Sequence, residues 1–131
     1  MWEKVLFVDD DQFVLTCLER LFGKRFNIDT ALGSDAALDA LMNRGPYAVI
    51  VSDLRMPKLS GIQLLTRARE LSSQTVGVIL TGNADFPDAD EALRNGLVFK
   101  FIDKPCHPDV LRKVVEEALA HYQENEKVPE P

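Results

Sequence analysis

Five short apolar or alternating stretches take turns with five segments of helical periodicity, and that alternation limits the fold more than any other feature of the chain. Residues 5–8, 48–51 and 76–80 are continuous apolar runs, too short for helices and suited to strands covered on both faces. Residues 27–31 alternate, with Ile28 against Asp29 and Thr30, and read as a half-exposed edge strand. Residues 98–102 carry Lys100 in their middle, which suits the opposite edge. Between these strands, Phe13, Val14, Cys17, Leu18, Leu21 and Phe22 form one helical stripe, with Gly23 as its stop. Ser34 is placed to cap a second helix carrying Ala37, Leu38, Ala40 and Leu41, ended by Asn43-Arg44-Gly45-Pro46. Ser60 is placed to cap a third, with Leu64, Leu65, Ala68 and Leu71 inward. Pro87 suits the first turn of a short fourth helix that closes near Asn95-Gly96. Val110, Leu111, Val114, Val115, Ala118 and Leu119 stripe a fifth, which continues toward Tyr122.

Strict strand-helix alternation implies a parallel sheet with right-handed crossovers. With strands 2 and 5 at the edges, the simplest order is 2-1-3-4-5. That is an α/β, flavodoxin-like (βα)5 three-layer sandwich with its switch point between strands 1 and 3. A chain of 131 residues suits one domain. We assign it to residues 1–123, with the polar, proline-bearing residues 124–131 as a frayed tail or the start of a linker. The net charge of −6 argues against direct nucleic-acid contact by this domain. No apolar stretch is long enough to span a bilayer, and Met1-Trp2-Glu3-Lys4 leads into the first strand without the pattern of a signal peptide. No membrane association is expected, and a reducing cytoplasm is the expected setting. Cys17 and Cys106 lack metal-ligand spacing, and Cys17 reads as a small hydrophobe on a helix face.

Chemistry collects where the strands end. Asp9, Asp10 and Asp11 follow the first strand, and Asp53 follows the third. In the order 2-1-3-4-5 both places lie at the switch point, where such sheets bind ligands. Carboxylates crowded there repel one another unless a cation or a raised pKa relieves them. Asp9, Asp10 and Asp53 are therefore candidate oxygen ligands for one hard cation. Mg²⁺ fits, because it accepts a few carboxylates and keeps several waters. Asp11 reads as the starting residue of the first helix. Strand 4 ends at Thr81 and strand 5 at Asp103-Lys104-Pro105, which brings a hydroxyl and an ammonium to the same cleft. Together they make a receptor for a phosphoryl group. Asp85 is expected to be a loop residue, and His107 and His121 solvated helix positions.

The segments Val5-Leu6-Phe7-Val8-Asp9-Asp10, Asp53-Leu54-Arg55-Met56-Pro57, Leu80-Thr81-Gly82 and Phe101-Ile102-Asp103-Lys104-Pro105 resemble the receiver domain of two-component response regulators. The chemotaxis receiver, which has this strand order, belongs to that family. The resemblance covers about residues 3–122. It implies that Asp53 accepts a phosphoryl group from a histidine, brought by a sensor histidine kinase or a phosphotransfer protein. It implies Mg²⁺ held by Asp10, Asp53 and the backbone carbonyl of Arg55, with Asp9 acting largely through water. Thr81 and Lys104 would hold the phosphoryl oxygens, and Lys104-Pro105 would be cis. Phe101 occupies the place of the family's switch aromatic, where Phe in place of Tyr removes the hydroxyl. Arg55 and Asn83 fall where the family tunes phosphate lifetime. The face of helix 4, strand 5 and helix 5, near Phe99 and Cys106, would engage an output domain or effector, or a phosphorylation-dependent homodimer. A receiver of this kind is a signalling module and not an enzyme. The run of residues 98–105 and the long last helix further resemble receivers joined to cyclic-dinucleotide phosphodiesterase domains.

Two other readings compete. A small haloacid dehalogenase-type phosphohydrolase would use Asp9 as nucleophile in an Asp9-x-Asp11 motif, but would leave Asp53 without a central role. A flavin-binding module wants Ser, Thr and Gly after strand 1, and three aspartates there would repel its phosphate.

Overall fold

The apolar runs become inner strands because helices can cover them from both sides. The structure, a computed structural model, describes residues 3–82 and 89–127. Along the chain run β1 (Lys4–Asp9), α1 (Gln12–Phe22), β2 (Asn27–Leu32), α2 (Gly33–Asn43), β3 (Val49–Asp53), α3 (Gly61–Leu71), β4 (Val76–Thr81), α4 (Ala89–Arg94), β5 (Lys100–Asp103) and α5 (Pro108–Lys127). The sheet is parallel with order β2-β1-β3-β4-β5, as the sequence predicts.

Side chains alternate across each strand, and the two faces feed separate cores. Val5, Phe7, Val49, Val51, Val78 and Leu80 pack with Leu15, Leu18 and Phe22 of α1 and Leu111, Val114 and Val115 of α5. Leu6, Val8, Ile50 and Ile79 pack with Ala37 and Ala40 of α2, Leu64, Leu65 and Ala68 of α3, and Ala92 of α4. Register extends that alternation to the strand ends. Asp53 pairs with Leu80, which lies on the α1/α5 face, and Phe101 pairs with Ile79, on the other.

Several local expectations need correction. On α1 the buried residues are Leu15, Leu18 and Phe22, while Phe13 and Leu21 face outward at 74% and 54% exposure. Leu71 and Val110, expected inward on α3 and α5, are also exposed. The helical period allowed these stripes, but the docking angle on the sheet chose the phase. Ser34 does not cap α2. The helix begins two residues earlier than a Ser34 cap would place it, its cap residue Leu32 offers no side-chain bond, and the Ser34 hydroxyl donates elsewhere. Ser60 does cap α3, in a capping box with Gln63. Helix α5 runs to Lys127, so residues 124–127, expected in the tail, are helical. Strand β5 begins at Lys100, two residues later than expected. Asn83, Asp85 and Pro87 lie outside the described residues.

Candidate functional site

The carboxyl ends of β1, β3, β4 and β5 bring the candidate residues to one edge of the sheet, because the parallel order places those ends side by side. Val8 pairs with Ser52, so Asp9 and Asp53 emerge beside each other. Asp9 is buried, Asp53 half-buried and Asp10 exposed, and one carboxylate oxygen from each lies within 4.8 Å of the other two. Lys104 reaches into this cluster from beyond β5. Its Nζ stands 3.3 Å from Asp53 Oδ1 and 3.4 Å from Asp9 Oδ2. The backbone N–H of Asp11 donates to Asp9 Oδ1 at 2.9 Å, and Asp11 in turn accepts from the N–H of Phe13 as the N-cap of α1. The triplet is thus divided: two residues face the cleft and the third starts a helix.

The electrostatics of this arrangement are unbalanced. Burial pushes the Asp9 carboxyl above its ordinary value, and nearby Asp53 pushes the same way, against Lys104 and the Asp11 N–H. Burial pulls the Lys104 ammonium down, but Asp9 and Asp53 together carry it above its ordinary value. Three carboxylates meeting one ammonium leave a surplus of negative charge in a site open enough to admit an ion. The donors are hard oxygens, which is the set Mg²⁺ prefers. These residues fit a magnesium ion.

Thr81 is buried at the end of β4, and its backbone carbonyl accepts from the N–H of Lys104 at 2.9 Å. Phe101 is half-buried on the α2/α3/α4 side. By strand alternation Thr81 shares that side, whereas Asp9 and Asp53 belong to the other. The Lys104-Pro105 bond is cis, as the resemblance implied, and so is Gly45-Pro46. Gly61 allows α3 to start against the site, since a Cβ there would stand 2.5 Å from the Asp53 carbonyl oxygen.

The side chains of the remaining candidates are exposed or partly buried. Arg55 is exposed in the β3–α3 loop. His107 is exposed, but it caps α5, its Nδ1 accepting from the N–H of Asp109 at 3.1 Å. His121 is exposed with its ring stacked on Phe99, centroids 5.1 Å apart. Cys106 and Cys17 are free and partly buried, and burial raises the Cys106 thiol above its ordinary value. Sequence reasoning missed the roles of Ser34 and Lys58. The Ser34 hydroxyl donates to the Pro57 carbonyl at 3.0 Å, and Lys58 has a φ of +74°. A serine near a helix start reads as a cap, and nothing in the sequence marks Lys58 as left-handed.

Comparison with known proteins agrees with this fold. Residues 5–116 match the family model described as "Response regulator receiver domain". The chain is 33% identical over 115 residues to the hydrogenase transcriptional regulatory protein HoxA of Cupriavidus necator, covering 88% of this chain and 24% of that protein. It is 35% identical over 116 residues to the transcriptional regulatory protein FixJ of Bradyrhizobium diazoefficiens, covering 88% of this chain and 56% of that protein. The chain therefore spans about a quarter to a half of these relatives. Among solved structures, one described as adenylate cyclase from Rhodopirellula baltica superposes with a TM-score of 0.90 at 32% identity, covering 96% of this chain and 93% of that one.

Proposed function

Because the chain belongs to the response regulator receiver family, we propose that Asp53 is its phosphoacceptor and that the domain converts phosphorylation into a change at a protein-binding face. The observation that carries this is the meeting of Asp9, Asp10, Asp53 and Lys104 at one end of the sheet. A carboxylate oxygen of Asp53 attacks the phosphorus of a phosphohistidine carried by a sensor histidine kinase or a phosphotransfer protein. A P–O bond forms as the P–N bond breaks, and the electron pair leaves with the imidazole, which is then protonated. Asp53, Asp10 and the backbone carbonyl of Arg55 would hold Mg²⁺, with Asp9 contributing largely through water. When bound there, the ion would offset the carboxylate repulsion and supply positive charge to the transferring group. Lys104 and Thr81 hold phosphoryl oxygens, the former as a point charge and the latter as a hydrogen-bond donor.

Readout then runs through Thr81 and Phe101. Their placement on one side of the sheet, two residues apart in register, supports a paired movement. That movement alters the face of α4, β5 and α5, which engages an output domain, an effector or a second copy of the domain. The domain acts as a stoichiometric acceptor and not as a turnover enzyme. The curated relatives described above are transcriptional regulators, which favours an output acting on transcription over the phosphodiesterase resemblance. Among the described residues no helix is long and apolar enough to cross a membrane, in keeping with a site in the cytoplasm. The hydrolase alternative is weakened because Asp9 is 3% exposed and engaged at both oxygens. Intact-mass measurement after incubation with a small phosphodonor and MgCl₂ tests the assignment. The wild type gains one phosphoryl group and Asp53→Asn gains none. Uptake that survives Asp53→Asn, or no uptake by the wild type, overturns it.

A further inference from the structure

The loop between β3 and α3 is held in its middle by a residue far away in sequence. Its ends are fixed by backbone hydrogen bonds: the Leu54 N–H donates to the Leu80 carbonyl of β4, and the Gly61 N–H donates back to the Leu54 carbonyl. Between them, the Leu59 N–H donates to the Pro57 carbonyl at 2.9 Å across Lys58, whose φ is +74°. This is a γ-turn with a left-handed centre, a rare and strained conformation for a residue with a side chain. Strain of this kind persists only where the surroundings over-determine it. Two residues in the first turn of α2 provide that constraint. Ser34, 2% exposed, donates its hydroxyl to the same Pro57 carbonyl at 3.0 Å, and the exposed Asp35 carboxylate pairs with the Lys58 ammonium.

We propose that the first turn of α2 is a clasp that positions the metal-binding loop, with Ser34 and Asp35 as its positioning residues. The inference rests on the magnesium site proposed above, in which the Arg55 carbonyl is a ligand. Pro57 lies two residues after Arg55, so fixing the Pro57 carbonyl limits how far the Arg55 carbonyl can swing. A cavity of about 230 Å³ lined by Asp10, Ser34, Asp35, Pro57 and Lys58 connects the clasp to the acidic cluster. The two contacts are unequal. The ion pair is exposed and weak, whereas the hydroxyl is buried and has one carbonyl to serve.

Calorimetric titration of MgCl₂ into the wild type and variants is the test, with circular dichroism as the check on folding. Ser34→Ala is expected to weaken magnesium binding about tenfold, the scale of lost support behind a metal ligand. Asp35→Asn is expected to weaken it about twofold, as suits an exposed pair. Adding Lys58→Gly to Ser34→Ala restores most of the affinity, because glycine takes the positive φ without strain. At saturating Mg²⁺ each variant takes up phosphoryl at the wild-type rate. Wild-type affinity in Ser34→Ala, or no rescue by Lys58→Gly, overturns the clasp and leaves the proposed function standing. If Ser34→Ala does not fold, Asp35→Ala decides, and wild-type affinity there overturns the clasp. No magnesium binding by the wild type overturns the site and the clasp with it.

Discussion

The two ends of the sheet each gather a lysine, an aspartate and a further polar partner, and they use them in opposite ways. At the amino-terminal end, Asp29 accepts from the Tyr47 hydroxyl at 2.6 Å and stands 3.7 Å from Lys4 Nζ. Lys4 also donates to the Arg44 carbonyl at 2.7 Å and lies over the Tyr47 ring. One carboxylate there has two donors. At the carboxyl end, three carboxylates meet one ammonium among the described residues. The first cluster is complete within the chain, whereas the second is balanced only when something positive arrives. Polar groups brought together in a fold become a site when their charges do not close.

Mg²⁺ breaks the comparison most strongly if it is wrong. At about a hundredfold excess over its dissociation constant the ion should raise the unfolding free energy by about 2.7 kcal/mol. Asp10→Asn should lose most of that gain, and Tyr47→Phe should keep all of it. Denaturant unfolding with and without MgCl₂ measures both, and equal gains in all three proteins would remove the contrast.

Matched lysine substitutions sharpen it next. Lys104 and Lys4 are similarly exposed, at 32% and 38%, so their surroundings decide the outcome. Without metal, Lys104→Met should cost about 2 kcal/mol, less than a fully buried pair because water screens the ammonium. Lys4→Met should cost under about 1 kcal/mol, since Asp29 keeps the Tyr47 hydroxyl. Equal losses in chemical denaturation would contradict the charge ledger of the two ends.

The smallest effect tests the closed cluster alone. Tyr47→Phe leaves Asp29 one donor short and should cost about 1 kcal/mol near neutral pH. Burial, then the hydrogen bond and charge of Asp29, hold the Tyr47 phenol well above its ordinary value of 10.0. The folded state therefore keeps this proton where the unfolded chain loses it. The contribution is fully present below pH 10.0 and declines as pH rises from there toward the folded value. The wild-type advantage over Tyr47→Phe should shrink along that alkaline limb, and a constant difference would show that the phenol is not protected.

The strand order and the convergence of Asp9, Asp10, Asp53 and Lys104 were legible because both follow from the apolar runs and what comes directly after them. The helix phases were less so. Phe13, Leu21 and Val110 each adjoin a residue that the core does take, Val14, Phe22 and Leu111, and periodicity alone cannot choose between neighbours, while Leu71 is the last residue of α3. Ser34 was misassigned because its partner, Pro57, is twenty-three residues away in sequence. The left-handed Lys58 had no signal at all, since tertiary constraint and not its own preference sets its φ.

The alternation of β3, β4 and β5 also makes the sheet a partition. Asp53 belongs to one of its faces, and Thr81 and Phe101 to the other. The layer between them is one backbone thick. Helix α5 packs on the Asp53 side and α4 on the side of Thr81 and Phe101, so the α4, β5 and α5 face proposed for readout wraps the edge of the sheet and draws on both layers. Under that proposal the edge strand β5 is where a change on the Asp53 side and a change on the Thr81 side come to share one surface.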